Sequence, residues 1–193
     1  MSVIIDNLIL ASRYDIMYNK NDTFILSRTK LHINLAEEIN NLFDQSELTQ
    51  IKLNWKDYSH QDINKNGILF QLVKIIDTYL TTGEQVLVNC FAGVSRSATV
   101  VIAYLMYKNK WTIQEAIAFV KSKRRIIKPN SGFICQLYNL QEKLHNLDEH
   151  FIEYCSVKNK SEEKLAEEIM ETCKIPLIER IINNDDNNMV IYL

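Results

Sequence analysis

Cys90 and Arg96 are separated by Phe91-Ala-Gly-Val-Ser95, and Ser97 follows the arginine directly. A cysteine is a nucleophile only as its thiolate. Free thiols titrate near about 8.5, but beside a helix N-terminus or a cation they fall to roughly 3.5–7.5. An arginine presents a planar fork of N–H donors that matches two oxygens of a phosphate. The sequence around these residues lets the two cooperate. Val86, Leu87 and Val88 read as a buried strand running through Asn89 into Cys90, Phe91–Ser95 as a short loop, and Arg96–Tyr107 as a buried helix. A strand, a tight loop and a helix N-terminus in that order aim successive backbone N–H groups into one concavity. The result is an anion cradle with a thiol at its base. Its chemistry is thiolate attack on a phosphoryl group, a covalent phosphocysteine, and hydrolysis of that intermediate. Phosphoryl transfer has a loose transition state, so positioning and charge stabilisation supply most of the acceleration. Phe91, Ala92, Gly93, Val94, Ser95 and Arg96 are therefore the candidate anion-binding residues. Gly93 is expected to let the backbone approach the anion without a Cβ in the way. Ser97 is expected to donate a hydrogen bond to the sulfur and ease its departure.

Hydrophobic periodicity supplies the elements that must hold this loop. Val3-Ile-Ile5 and Leu8-Ile-Leu-Ala11 flank Asp6-Asn7, the pattern of a hairpin at a sheet edge. A short helix is expected near Tyr14–Tyr18. Leu31–Ala36 alternates apolar and polar residues, as a half-buried strand does. His32 falls on its polar phase and reads as a solvated strand histidine. Leu48–Trp55 is another strand, followed by a polar loop through His60. Gly67–Leu80 repeats its apolar residues near a 3.6 period, which predicts a helix stopped by Thr81-Thr-Gly83. Thr112-Ile-Gln-Glu115 is a capping box opening a helix with Ile113, Ala116, Ile117 and Val120 inward. Lys121–Lys128 is a basic connector ended by Pro129. Within it, Arg124 and Arg125 read as covering a helix end or forming surface ion pairs, with contact to acidic substrate phosphates as the alternative. Ser131–Leu147 is expected to be helical, with Phe133, Leu137, Leu140 and Leu144 as its inner stripe. Past Asp148 the character changes. Residues 161–173 form a charged helical pattern with a thin apolar seam, and 183–188 are polar and expected to be disordered. The apolar Met189–Leu193 either docks on the domain or a partner, or frays.

A chain of 193 residues suits one well-buried domain rather than two. A net charge of −2 gives no whole-molecule attraction for nucleic acid or anionic lipid. No apolar run reaches the length of a membrane span, and the N-terminus lacks a secretory pattern. The expectation is a soluble, intracellular, cytoplasmic protein with no membrane partner. Cys90, Cys135, Cys155 and Cys173 show neither a C-x-x-C pair nor zinc-like spacing, so free thiols and no metal are expected.

Asn89-Cys-Phe-Ala-Gly-Val-Ser-Arg-Ser-Ala-Thr99 resembles the signature loop of the dual-specificity protein phosphatases, members of the cysteine-based protein tyrosine phosphatases. Ile5–Ser12 resembles the family's opening strands and Leu31–Ala36 its next one. Arg125–Phe133 with Gln136-Leu137 resembles its Pro-Asn-x-Gly-Phe-x-x-Gln-Leu segment. The resemblance spans roughly residues 2–148. It implies an α/β domain there, with a central, mostly parallel sheet flanked by helices and no metal or other cofactor. Residues 149–193 are expected to form a helical, partly disordered C-terminal extension. The resemblance also implies a phosphorylated protein as substrate, with hydrolysis of phosphotyrosine and of phosphoserine or phosphothreonine, and no nucleic-acid partner.

The family uses an aspartate on a separate loop as general acid. Asp57, in the loop after the strand ending near Trp55, fits that place, and Asp62 is its rival. One departure stands out. The family normally carries histidine immediately before the cysteine, whereas this chain has Asn89. An asparagine can hydrogen-bond nearby backbone but brings no positive charge. Weaker thiolate activation and a rate optimum at higher pH are therefore expected. Two other readings follow. A weakly active or inactive phosphatase-like module would bind phosphoproteins; Asn89 keeps this open, while intact Cys90, Arg96 and Ser97 oppose it. An RNA 5′-triphosphatase of the same superfamily would want a basic face beyond Lys121–Lys128.

Overall fold

A computed structural model describes residues 1–18, 27–36, 48–155 and 189–192. Strands β1 (Ser2–Ile5) and β2 (Leu8–Ser12) form the hairpin, turning through Asn7 at a φ of 63°. Asparagine tolerates that left-handed region better than most residues. Helix α1 (Arg13–Tyr18) follows, then β3 (Thr29–Asn34), β4 (Thr49–Leu53), α2 (Ile68–Thr81), β5 (Gln85–Cys90) and α3 (Arg96–Asn109). The chain continues through α4 (Ile113–Lys123), α5 (Ser131–His145), α6 (Leu147–Cys155) and β6 (Met189–Tyr192). These bounds match the periodicity closely. Gly83, at a φ of +80°, ends α2 as a left-handed cap, and the Thr112–Glu115 capping box opens α4 with both of its hydrogen bonds formed.

The strand order is β1-β2-β5-β3-β4-β6. The inner four strands run parallel to one another, and β1 and β6 are antiparallel edges. The sheet is thus the mostly parallel one expected. Met189–Tyr192 docks on β4 as an edge strand, the first of the two alternatives for that segment. The helical pattern at 161–173 and the polar run 183–188 lie outside the described residues.

Alternation along β5 separates two layers. Val86, Val88 and Cys90 join the large core packed with α2, α3, α4 and α5. Leu87 faces the other side with Ile9, Ala11 and Ile16 of α1. Helix α3 is buried from Arg96 through Tyr107, which explains its nearly continuous apolar sequence. Asp148 secures the start of α6, accepting hydrogen bonds from Lys74 Nζ and Tyr107 Oη, both at 2.7 Å. Burial and the neighbouring carboxylates of Asp148 and Asp77 push the Tyr107 hydroxyl well above the ordinary tyrosine range. Central β5 delivers Cys90 to the carboxyl end of the parallel strands, where open α/β sheets bind their ligands.

Candidate active site

The loop after β5 is held by its carbonyls. Phe91 O accepts from Arg13 N at 3.0 Å and Val94 O from Lys128 N at 2.8 Å. Gly93 O accepts from Arg124 Nε at 2.9 Å, and Ala92 O from Arg124 Nη2 at 3.5 Å. Ser95 O accepts from Thr99 N and Thr99 Oγ1, both at 2.9 Å. Cys90 O takes a long bond, 3.5 Å, from Asn89 Nδ2. Every carbonyl from Cys90 to Ser95 is therefore turned toward a donor outside the loop. Across a trans peptide the N–H points opposite to the C=O, so the following N–H groups turn inward. That is the anion cradle, built by outward anchoring and extended by the N-terminus of α3.

Gly93 has a packing role that the sequence did not show. Its φ is +65°, and a Cβ there would lie 2.7 Å from both Ala11 O and Arg124 Nη2. The missing side chain makes room for the supports beneath the loop. Arg124 is such a support. It is buried rather than at the surface, and pairs with Asp15 Oδ2 at 2.9 Å. Burial raises the Asp15 carboxyl, but hydrogen bonds from the Met1 amino group and Ser12, with the Arg124 charge, outweigh it and pull it down to about 2. Arg125 is exposed. The Ser12-x-x-Asp15 pattern at the start of α1 marks a local cap, which fixes Asp15 but does not point to Arg124.

Cys90 Sγ is buried and accepts from Ser97 Oγ at 3.1 Å, the contact expected of that serine. Arg96 folds back into the structure. Its Nη1 donates to Trp55 O at 2.9 Å, and its Nε lies 3.8 Å from Asp57 Oδ2. Asp57 accepts from Ser95 Oγ at 2.6 Å and from Asn130 Nδ2 at 2.9 Å. Asp62 instead caps its own turn by accepting from Asn64 N. Asp57 and not Asp62 is thus brought to the cradle.

The loop carrying Asp57 is clamped by the start of α5. Gln136 donates to Gln61 O at 2.8 Å and accepts from Ile63 N at 2.9 Å. Gly132 passes so close that a Cβ would fall 1.8 Å from Ser59 O. Asn130, Gly132 and Gln136 belong to the Pro-Asn-x-Gly-Phe-x-x-Gln-Leu segment, whose purpose the sequence alone left unstated. Aromatic rings flank the site: Tyr14 meets Phe91 edge-on with centroids 5.8 Å apart, and Tyr58 stacks on His60 at 4.1 Å.

His32 is not a solvated strand residue. It is 1% exposed, and its Nε2 lies 2.6 Å from Asn89 Oδ1. The alternation of β3 is real, but both faces of this central strand are covered, so polar phase did not mean solvent. Burial pulls the imidazole down to about 4, with its hydrogen bonds to Asn89 and Gln50 opposing that shift only in part.

Comparison with known proteins agrees with this geometry. The family model described as dual specificity phosphatase, catalytic domain, matches residues 8–143. Protein 123R of Invertebrate iridescent virus 6 is 39% identical over 108 residues, covering 56% of this chain and 75% of its own. Dual specificity protein phosphatase 1 of Arabidopsis thaliana is 43% identical over 91 residues, 47% of this chain and 46% of that relative. The crystal structure of human tyrosine phosphatase-like serine/threonine/tyrosine-interacting protein superposes with a TM-score of 0.65 at 30% identity, covering 74% of this chain and 95% of that one. Among the described residues no helix is long and apolar enough to cross a membrane.

Proposed function

Because the chain belongs to the dual-specificity phosphatase family of cysteine-dependent protein phosphatases, we propose that it hydrolyses phosphotyrosine and phosphoserine or phosphothreonine in proteins through a phosphocysteine on Cys90. The observation that supports this most is the set of carbonyls from Cys90 to Ser95 turned outward around a buried thiol, with Arg96 and Asp57 beside it.

The substrate phosphate enters the ring of N–H groups lined by Phe91, Ala92, Gly93, Val94 and Ser95, and Arg96 fixes two of its oxygens. Cys90 Sγ attacks phosphorus in line and an S–P bond forms. The bond from phosphorus to the substrate oxygen breaks as Asp57 delivers a proton to that oxygen. General acid help of this kind is worth roughly 10²–10⁴-fold. In the second step Asp57, now a carboxylate, takes a proton from water as that water attacks phosphorus. The S–P bond breaks, and the hydrogen bond from Ser97 Oγ stabilises the returning thiolate. Inorganic phosphate leaves.

A panel of phosphotyrosine peptide, phosphothreonine peptide, RNA 5′-triphosphate and phosphoinositide tests the assignment, with wild type beside Cys90→Ser. Turnover of both phosphopeptides by wild type alone is expected. Turnover of only the RNA or the lipid would move the substrate class. Tight phosphopeptide binding without turnover would replace the enzyme with a binding module.

A further inference from the structure

Three strands carry a row of polar side chains on the face of the sheet opposite Cys90. Gln50 on β4 lies beside His32 on β3 in register, and His32 reaches Asn89 on β5. All three are buried, and none has a part in the phosphoryl chemistry above. From this row we propose that His32 is a positioning residue for Cys90: through Asn89 it fixes the first peptide of the anion cradle. The inference rests on reading Cys90 as the nucleophile.

The chemistry of the row gives it a direction. Asn89 Oδ1 can only accept, so at 2.6 Å the His32 Nε2 must be the protonated nitrogen. The imidazole is neutral, because burial holds it at about 4. The Gln50 side chain also hydrogen-bonds to this ring. Donation thus runs from His32 to Asn89.

The consequence falls on Asn89. The two ends of a side-chain amide are interchangeable in shape and opposite in role. With Oδ1 committed to His32, Nδ2 faces the Cys90 carbonyl, 3.5 Å away. The imidazole donor reinforces this orientation, and without it the amide is held by the long contact to the Cys90 carbonyl. In the other orientation Oδ1 would face the Cys90 oxygen and repel it. The Cys90–Phe91 peptide is the first link of the cradle, and its outward carbonyl goes with an inward N–H on Phe91. A residue one strand away therefore helps set the field around the sulfur. The family's usual histidine sits next to the cysteine; here the imidazole stands across the sheet and Asn89 connects it.

The test reads the thiol directly, so its failure is separable from failure of the phosphatase reading. Iodoacetamide alkylation of the full chain is followed against pH, with Cys90 identified by peptide mass spectrometry because Cys135 is also a free, exposed thiol. In His32→Leu the pH midpoint of Cys90 alkylation is expected to rise by about half a unit or more, since the donor that holds the Asn89 amide is lost. His32→Gln, which keeps an N–H donor, should restore most of the shift. Adding His32→Leu to Asn89→Ala should produce no further shift. A lowered melting temperature with an unmoved midpoint would make His32 merely structural and overturn the proposal, as would an undiminished shift in the Asn89→Ala background. Nitrogen-15 shifts of the wild-type imidazole keep the proposal testable even where His32→Leu does not fold. A neutral ring protonated on Nε2 at pH 7 supports it, and an Nδ1-protonated ring or an imidazolium refutes it.

Discussion

The Ser95 hydroxyl donates to Asp57 Oδ1 at 2.6 Å, which joins the last loop residue of the cradle to the proposed general acid. The same serine oxygen accepts from Asn130 N at 3.1 Å, and Asn130 Nδ2 holds the carboxylate from the other side. The loop carrying Asp57 is therefore docked on the cradle.

That docking predicts how α5 variants behave. Asn130→Ala removes one donor to Asp57, and Gly132→Ala drives a methyl against Ser59 O, forcing the 57–62 segment away. Both should lower kcat by about tenfold or more, because sub-ångström placement of an acid controls its contribution. KM for a small aryl phosphate should change little, since the cradle is anchored by Arg13, Arg124, Lys128 and Thr99. Steady-state kinetics on the two variants check this. A rise in KM at constant kcat would mean that α5 supports binding instead.

Asp57→Asn keeps the shape of the loop and removes the proton. Turnover of a phosphotyrosine peptide should fall by roughly 10²-fold or more. An aryl phosphate with an acidic leaving phenol needs little protonation and should lose far less. The ratio of the two rates, measured with both substrates, is the diagnostic. Equal losses would assign Asp57 a structural role, and an unaffected Asp57→Asn beside an impaired Asp62→Asn would reverse the assignment.

Burial of neutral His32 also makes stability depend on pH. Its imidazole titrates at an ordinary 6.5 when unfolded and at about 4 when folded. Between those values the unfolded chain binds the extra proton, so acid favours unfolding. The contribution is fully present above pH 6.5, declines as pH falls and is gone near 4. At about 1.4 kcal/mol per unit this amounts to about 3 kcal/mol in total. Urea unfolding of wild type and His32→Gln at pH 4, 5, 6 and 7 measures it. The stability difference between the two proteins should change by that order across the series, with wild type losing more on acidification. A constant difference would contradict the neutral, buried imidazole.

The sequence was most informative where a period or a local cap decides the conformation. Helix α2, the capping box of α4 and the strand-to-helix passage at Cys90 all follow from neighbouring residues. Cys90, Arg96 and Ser97 were legible because one loop contains them. His32 was misread because alternation tells which residues share a face but not whether that face meets water. A glycine in an anion loop suggests close approach, and only the folded chain shows that its absent Cβ also leaves space for Ala11 and Arg124 below. Arg124 and Asp15 are far apart in the chain, and no local pattern pairs them under the loop.

The central claim is that phosphate passes through Cys90. Rapid-quench reaction with a phosphorus-32 phosphotyrosine peptide, followed by digestion and mass analysis, measures it most directly on wild type, Ser97→Ala and Cys90→Ser. The account predicts label on the Cys90 peptide of wild type and more of it in Ser97→Ala, where the departing sulfur has lost its hydrogen bond from 3.1 Å away. Cys90→Ser should carry no label at this position and release no phosphate. Phosphate release from Cys90→Ser at the wild-type rate, or wild-type turnover without label on Cys90, would contradict it.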